Sequence, residues 1–229
     1  MNEIEKNSYC KTGAFCSIIA GISYLMVVIF AFMMPPSIAT YIATETFFND
    51  FLQVEDLFIN LKIFMLIANI TMIGVVCCFS ALSRENNKGW VSWISVLAII
   101  GYAFGIFQCI IDISIIPKIA SQYVTQPQLI KDTIIVLGVA NPMLFFISLG
   151  LPGVWFISVS VMGFNNKDIP KLLIVLGLLW GVGNILTAIA HAFVYVPLIY
   201  LVAMGAMIAA PAWGFMEGLY LLSLTTKKS

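Results

Sequence analysis

Four ionisable side chains interrupt the apolar stretches of this chain: Lys62, Asp112, His191 and Glu217. An ionisable group inside a hydrocarbon layer is costly, so each one is a candidate for a binding or proton-transfer site. Lys62 and Asp112 would form an ion pair, because pairing lowers the cost of keeping either side chain in a membrane. His191 is the only histidine, and it could donate or accept a proton because an unperturbed imidazole has a pKa of about 6.5.

Amide side chains accompany three of these ionisable residues, at helical spacings of four or seven residues that place them on the same helix faces. Asn141 joins them because it lies close to the outer end of span 4, so the candidate ligand-binding residues are Lys62, Asn69, Gln108, Asp112, Asn141, Asn184 and His191. They predict a polar cavity in the outer half of a helical bundle, which would bind a small polar molecule, an ion or a lipid headgroup. The alternative is structural, because side chains near a span end can reach the interface and amide or imidazole groups can bridge helices.

Membrane-spanning helices must hold these side chains, because 61% of the 229 residues are apolar and only 10% are charged. A bilayer core about 30 Å thick requires about 20 helical residues, and the apolar stretches supply six such spans if the last stretch divides near Pro197. The sequence thus predicts an all-α polytopic integral membrane protein, a six-transmembrane-helix bundle in one membrane domain, 1–229. The predicted spans are about 14–34, 57–82, 90–116, 134–163, 171–196 and 198–224.

Basic residues predict the orientation of the bundle. The side with few basic residues has only Lys118 and Lys131 between its spans, and its first loop is acidic. By the positive-inside rule, both termini are expected to be cytoplasmic, at a bacterial inner membrane. The first span is interpreted as an uncleaved anchor, since its apolar run is longer than that of a usual signal peptide. The basic residues of the predicted cytoplasmic side are Lys6, Lys11, Arg84, Lys88, Lys167, Lys171, Lys227 and Lys228.

Local motifs predict irregular or closely packed helices. The segment 47–58 has phenylalanines at near-helical spacing, which is typical of an interfacial helix or an outward extension of span 2. Prolines predict kinks in spans 4 and 6, at Pro142, Pro152 and Pro211.

Pairs of glycines four residues apart permit close helix approach, either inside the chain or across a homodimer. Glu217 lies between two of these glycines and is interpreted as reaching the cytoplasmic interface or bonding a neighbouring helix. The expected partners are the lipid bilayer, a small polar ligand or lipid and a second copy of the chain, but no nucleic acid, since the formal net charge is zero. The glycine pairs are Gly101/Gly105, Gly177/Gly181 and Gly214/Gly218.

Catalytic signatures are absent from the sequence. No metalloprotease, nucleophile-elbow, Walker or dinucleotide-binding pattern is present, and the five cysteines lack metal-ligand spacing. One histidine cannot supply a bis-histidine haem site within one chain. We therefore expect no cofactor, no metal and no enzymatic activity, and predict a transport, sensing or assembly component. The alternative is an intramembrane enzyme in which His191 and Asp112 transfer a proton.

Several motifs also follow one another in a characteristic order: "GISYLMVVIF" in span 1, "GVWFISVSVMGFNNKDIPKLLIVLGLLWGVGN" across spans 4 and 5, and "TAIAHAF" late in span 5. With this order the chain resembles an uncharacterised family of six-span bacterial membrane proteins that carry a domain of unknown function. The resemblance implies an inner-membrane helical bundle and supplies no catalytic residues.

Overall fold

A computed structural model describes residues 2–42, 44–83, 88–123, 125–137, 142–164, 166 and 168–226. Within these ranges the regular structure is helical. The helices are α1 (Glu3–Met33), α2 (Pro36–Ala39), α3 (Glu45–Leu82), α4 (Lys88–Tyr123), α5 (Gln128–Leu137), α6 (Pro142–Phe145), α7 (Leu151–Gly163), α8 (Lys171–Ala192) and α9 (Val196–Thr226), with a π-helical turn at Phe146–Gly150 between α6 and α7.

Six of these helical segments are long and apolar enough to cross a bilayer: α1, α3, α4, the π-helical turn with α7, α8 and α9. The prediction of an all-α, six-span membrane bundle is therefore confirmed. In the bundle, α1 packs between α3 and α9, α4 packs against α3 and α7, and α8 packs against α7 and α9.

Successive spans run in opposite directions, so the two ends of the described chain lie at the same face of the bundle. Gly13, near the start of α1, lies close to the ends of α3 and α9. A Cβ atom placed on Gly13 would be 3.0 Å from Cδ1 of Leu221 in α9 and 3.1 Å from Cβ of Cys78 in α3. We call this the terminal face. The opposite face, which we call the loop face, carries the connection between α1 and α3, the end of α4 and the turn between α8 and α9.

Side-chain caps fix the starts of two spans. Asn2 Oδ1 accepts a hydrogen bond of 2.8 Å from the Glu5 backbone N–H, and the Glu5 carboxylate accepts one from the Asn2 backbone N–H, which forms a capping box at the start of α1. Thr44 caps α3 by accepting a bond of 3.1 Å from the Phe47 N–H. Each cap satisfies backbone donors that have no partner in the first turn of a helix.

The segment 47–58 is an extension of span 2 that turns its aromatic side chains inward. Helix α3 bends at Val54, whose φ of −131° and ψ of 21° are not helical. The rings of Phe48 and Tyr123 stack with centroids 4.4 Å apart, and those of Phe51 and Phe58 lie 5.1 Å apart. These rings are buried, so the segment closes the loop face of the bundle.

Proline interrupts the fourth span in an identifiable way. Pro152 lacks a backbone N–H, and its ring would clash with the carbonyl group four residues earlier in a regular α-helix. The chain forms the π-helical turn Phe146–Gly150 immediately before it, so the regular α-helical hydrogen-bond pattern is interrupted at this point. Pro211, in contrast, lies inside α9, which continues through it as one helix.

All three glycine pairs are packed against helices of the same chain. A Cβ on Gly214 would lie 2.8 Å from Cα of Gly21 in α1, and one on Gly181 would lie 2.9 Å from the carbonyl oxygen of Gly153 in α7. Gly101 approaches Pro152 and the π-helical turn equally closely. The glycines therefore allow backbone-to-backbone contact within the bundle, while a homodimer remains a prediction.

Aromatic side chains form a layer across the middle of the bundle. The Phe156 ring lies 4.0 Å from that of Trp180 and 5.0 Å from that of Trp213, and the two tryptophans are 5.6 Å apart. Trp155 packs edge-on against Phe156 at 5.0 Å. We refer to these four residues as the aromatic layer, and it separates cavities in the two halves of the bundle, as described below.

Candidate ligand-binding site

The predicted ion pair between Lys62 and Asp112 is present near the loop face. Lys62 Nζ lies 2.7 Å from Asp112 Oδ2, and the side chains are only 8% and 1% exposed. The Tyr41 hydroxyl donates a hydrogen bond to the other carboxylate oxygen, Oδ1. Lys62 Nζ also lies 3.9 Å from the centroid of the Tyr41 ring, within cation–π range. The buried charges are therefore compensated by each other and by one tyrosine.

Tyr41 holds an unusual backbone conformation in the connection between α1 and α3. Its φ of 55° lies in the left-handed region, which costs about 1–3 kcal/mol for a residue other than glycine. Burial, and then the nearby Asp112 carboxylate, raise the pKa of Tyr41 well above its ordinary value. The phenol therefore keeps its proton and donates to Asp112, a contact that helps to hold the strained residue in place.

His191, a residue of α8, hydrogen-bonds to the same connection between α1 and α3. Its Nδ1 lies 2.9 Å from the carbonyl oxygen of Thr187, and its Nε2 lies 3.1 Å from that of Thr40. Carbonyl oxygens only accept hydrogen bonds, so a neutral imidazole donates to one of them at a time and an imidazolium donates to both. The Phe145 ring stacks on the imidazole at 4.2 Å. His191 thus anchors Thr40, while Asp112 anchors the adjacent Tyr41.

A central cavity of about 170 Å³ lies between these groups and the aromatic layer. Four of the predicted residues line it: Lys62, Asn69, Asn184 and His191. Most of its remaining wall is apolar and comes from α1, α3, α8 and α9. The central cavity therefore combines a few polar groups with a largely hydrophobic surface, as ligand sites commonly do.

The other predicted residues do not line the central cavity. Asp112 and Gln108 lie behind Lys62, at a smaller cavity of about 30 Å³. Asn141 lies outside the described residues. Among the residues that the structure describes, His191 and Asp112 share no hydrogen bond, and each instead bonds to the connection between α1 and α3. Four of the seven candidate residues therefore line the central cavity, and ligand binding by any of the seven stays a prediction.

Two hydroxyl-bearing residues that sequence reasoning missed also line the central cavity. Tyr102 Oη and Thr187 Oγ1 are buried and have no hydrogen-bond partner within the described residues, and both residues line the cavity. A buried polar group without a partner costs about 1–3 kcal/mol. Thr187 could have been found, since it lies one helical turn before His191 on the same face, whereas Tyr102 has no comparable signal.

A second cavity, which we call the lateral groove, lies between the end of α1 and the start of α9 and measures about 610 Å³. Its outer wall includes Phe32 and Leu201, which are 59% and 74% exposed on the bundle surface. The lateral groove adjoins the central cavity because the two share six apolar lining residues. These are Ala31, Met34, Ala39, Ile199, Ala203 and Met207.

Comparison with known proteins identifies the family of this chain. No curated protein and no solved structure matched it. A family model, described as a domain of unknown function (DUF4386), matches residues 19–224. That range includes the central cavity, the lateral groove, the whole of four candidate spans, nearly all of α9 and about half of α1. The chain therefore belongs to the DUF4386 family of proteins with a domain of unknown function.

Proposed function

We propose that this protein is a non-enzymatic membrane component that binds a neutral amphiphile, with the headgroup in the central cavity and the apolar tail in the lateral groove. The observation that carries the proposal is that the two spaces adjoin and share six lining residues. The central cavity, with a few polar groups in a largely hydrophobic wall, adjoins an apolar groove that reaches the outer surface of α1 and α9. A ligand dissolved in the bilayer could enter by this route without crossing water.

The balance of charge favours a headgroup without net charge. Lys62 is already neutralised by Asp112 at 2.7 Å, and Asn69, Asn184, Tyr102 and the other polar side chains of the wall are mostly uncharged hydrogen-bonding groups. Burying a further charge in such a site would be costly. Hydroxyl or carbonyl groups on the ligand would instead pair with the unsatisfied hydroxyls of the cavity.

The cavity sizes favour a lipid headgroup among the ligands that the sequence allows. An apolar cavity of about 150 Å³ can hold one benzene molecule, so the central cavity of about 170 Å³ has room for a headgroup of similar size. The lateral groove of about 610 Å³ provides the additional space that an acyl or isoprenoid tail needs. A small ion would leave most of this apolar volume unused.

The contacts of His191 support a binding role over the enzymatic alternative. Both ring nitrogens face backbone carbonyl oxygens at 2.9 and 3.1 Å, and both carboxylate oxygens of Asp112 are engaged by Lys62 and Tyr41. A proton-transfer pair would need these groups to contact each other or the ligand. We therefore interpret both residues as supports that shape the cavity.

We also infer that the protein resides in a bacterial inner membrane with the terminal face in the cytoplasm, because the basic residues cluster on that side. In this orientation the central cavity and the lateral groove lie in the outer half of the bilayer. An amphiphile of the outer leaflet would be transported, sensed or passed to an assembly process.

Binding of 1-oleoylglycerol to the purified full-length protein, measured by native mass spectrometry, tests the proposal. Ala203→Trp places a large side chain where the lateral groove meets the central cavity and is expected to abolish binding. Leu219→Trp, on the exposed face of the same helix, serves as the matched control and should bind as the wild type does. Equal binding by the wild type and Ala203→Trp, or no binding by the wild type, would overturn the proposal.

A further inference from the structure

A third cavity of about 420 Å³, which we call the terminal cavity, opens at the terminal face of the bundle. Its mouth includes Lys6, Asn166 and Asp168, all exposed, so it opens toward water. Trp213 lines the terminal cavity and Trp180 lines the central cavity, with ring centroids 5.6 Å apart. The aromatic layer thus separates the two spaces, and the terminal cavity is a distinct feature.

Glu217 places a carboxyl group in the wall of the terminal cavity. The residue is only 7% exposed, because Gly214 and Gly218 on either side of it bring α9 against α1. Among the described residues, no lysine or arginine lies within ion-pair distance of Glu217, and the one ion pair they form joins Lys62 to Asp112. Keeping a buried carboxylate ionised without a partner is costly, and a positively charged ligand in the cavity would lower that cost by acting as its counter-ion.

The rest of the wall indicates which kind of cation fits. Among the described residues of the wall, two are acidic, Glu217 and Asp168, and one is basic, Lys6, so the acidic groups of the wall exceed the basic ones by one. Its wall also contains the aromatic side chains of Phe79, Trp213 and Tyr220, whose ring faces attract organic cations. A metal ion fits poorly, since no group of three or more His, Cys, Asp or Glu residues in the described part of the chain could hold one.

We propose that the terminal cavity is a second binding site, which takes a water-soluble organic cation with the Glu217 carboxylate as its counter-ion. This site lies on the opposite side of the aromatic layer from the proposed amphiphile site and does not depend on it. Its recognition elements are one buried carboxylate, an aromatic wall and an entrance lined by polar residues.

Titration of the purified full-length protein with tetraethylammonium chloride tests this proposal, with heat measured by isothermal calorimetry and sodium chloride at equal ionic strength as the blank. Glu217→Gln should weaken binding at least about tenfold, as expected for removal of a buried charge partner, whereas Glu217→Asp should retain most of it. Glu45→Gln removes an exposed acid at the loop face and should bind like the wild type. Phe79→Leu should weaken binding by about twofold to tenfold through the lost aromatic face.

The outcomes separate ligand binding from folding and from the amphiphile site. Thermal unfolding of each variant checks that it is folded, and Glu217→Gln should still bind 1-oleoylglycerol as the wild type does. Absence of tetraethylammonium binding by the wild type, or undiminished binding by Glu217→Gln, would overturn the proposal. Equal weakening by Glu45→Gln would contradict it as well, because the effect would then follow net charge and not the terminal cavity.

Discussion

The Lys62–Asp112 pair permits a quantitative test of how the candidate site is stabilised. Lys62→Met leaves the Asp112 carboxylate, 1% exposed, with only the Tyr41 hydroxyl as a described partner. Asp112→Asn leaves a buried ammonium group without its counter-ion. Removing one member of a buried pair costs about 3–5 kcal/mol, so each single variant should unfold roughly 6–20 °C below the wild type for a protein of this size.

The double variant Lys62→Met/Asp112→Asn should recover most of this loss. It contains neither buried charge, and the amide oxygen that the second substitution introduces can still accept a hydrogen bond from Tyr41. We expect its free energy of unfolding to lie within about 1–2 kcal/mol of the wild type, because replacing both members of a buried pair is often close to neutral. The pair would then show a coupling energy of several kcal/mol in a double-mutant cycle.

Denaturant titration of the four proteins in the same detergent measures this coupling. Lys118→Met, which removes an exposed lysine near the loop face, is the control and should change the free energy of unfolding by less than about 0.5 kcal/mol. Additive losses in the double variant would refute the reasoning, because they would mean that Lys62 and Asp112 stabilise the bundle independently.

Three further predictions concern individual side chains. Tyr102→Phe and Thr187→Val should each raise the free energy of unfolding of the unliganded protein by about 1 kcal/mol, because each removes an unpaired hydroxyl. Both variants should also bind 1-oleoylglycerol more weakly. Lower stability on denaturant titration would contradict this. Gly214→Leu should destabilise the monomer, since Gly21 leaves no space for a side chain. If the wild type were a dimer and the variant a stable monomer, Gly214 would instead lie in a dimer interface. The raised pKa of Tyr41 means that the unfolded state loses the phenol proton first, so stability should fall as pH rises above about 10. Tyr41→Phe should flatten that fall by up to about 1.4 kcal/mol per pH unit, and an unchanged slope would contradict it.

The spans and the ion pair could be predicted because they depend on local properties of the sequence. Length and hydropathy determine how many helices can cross a bilayer. The cost of a charge in a membrane also makes an ion pair between Lys62 and Asp112 predictable from the sequence alone. The helical periodicity that placed Asn69 on the same face as Lys62, and Asn184 on the same face as His191, requires only that each segment is a helix.

The remaining features depend on contacts between distant segments, which no local pattern specifies. Tyr41 reaches Asp112 because the connection between α1 and α3 folds over the bundle end, and the sequence around Tyr41 contains no sign of this. His191 and Asp112 have similar depths but bond to Thr40 and Tyr41 and not to each other. The lateral groove arises from the relative placement of α1 and α9, so hydropathy alone could not predict it.

An experimental structure of the protein in bilayers containing a brominated 1-oleoylglycerol tests the central claim most directly, because bromine gives strong, specific density. The account predicts bromine density in the lateral groove between α1 and α9, with the glycerol headgroup in the central cavity within hydrogen-bonding distance of Tyr102 or Thr187. Bromine density confined to the outer surface of the bundle, with an empty central cavity, would contradict it.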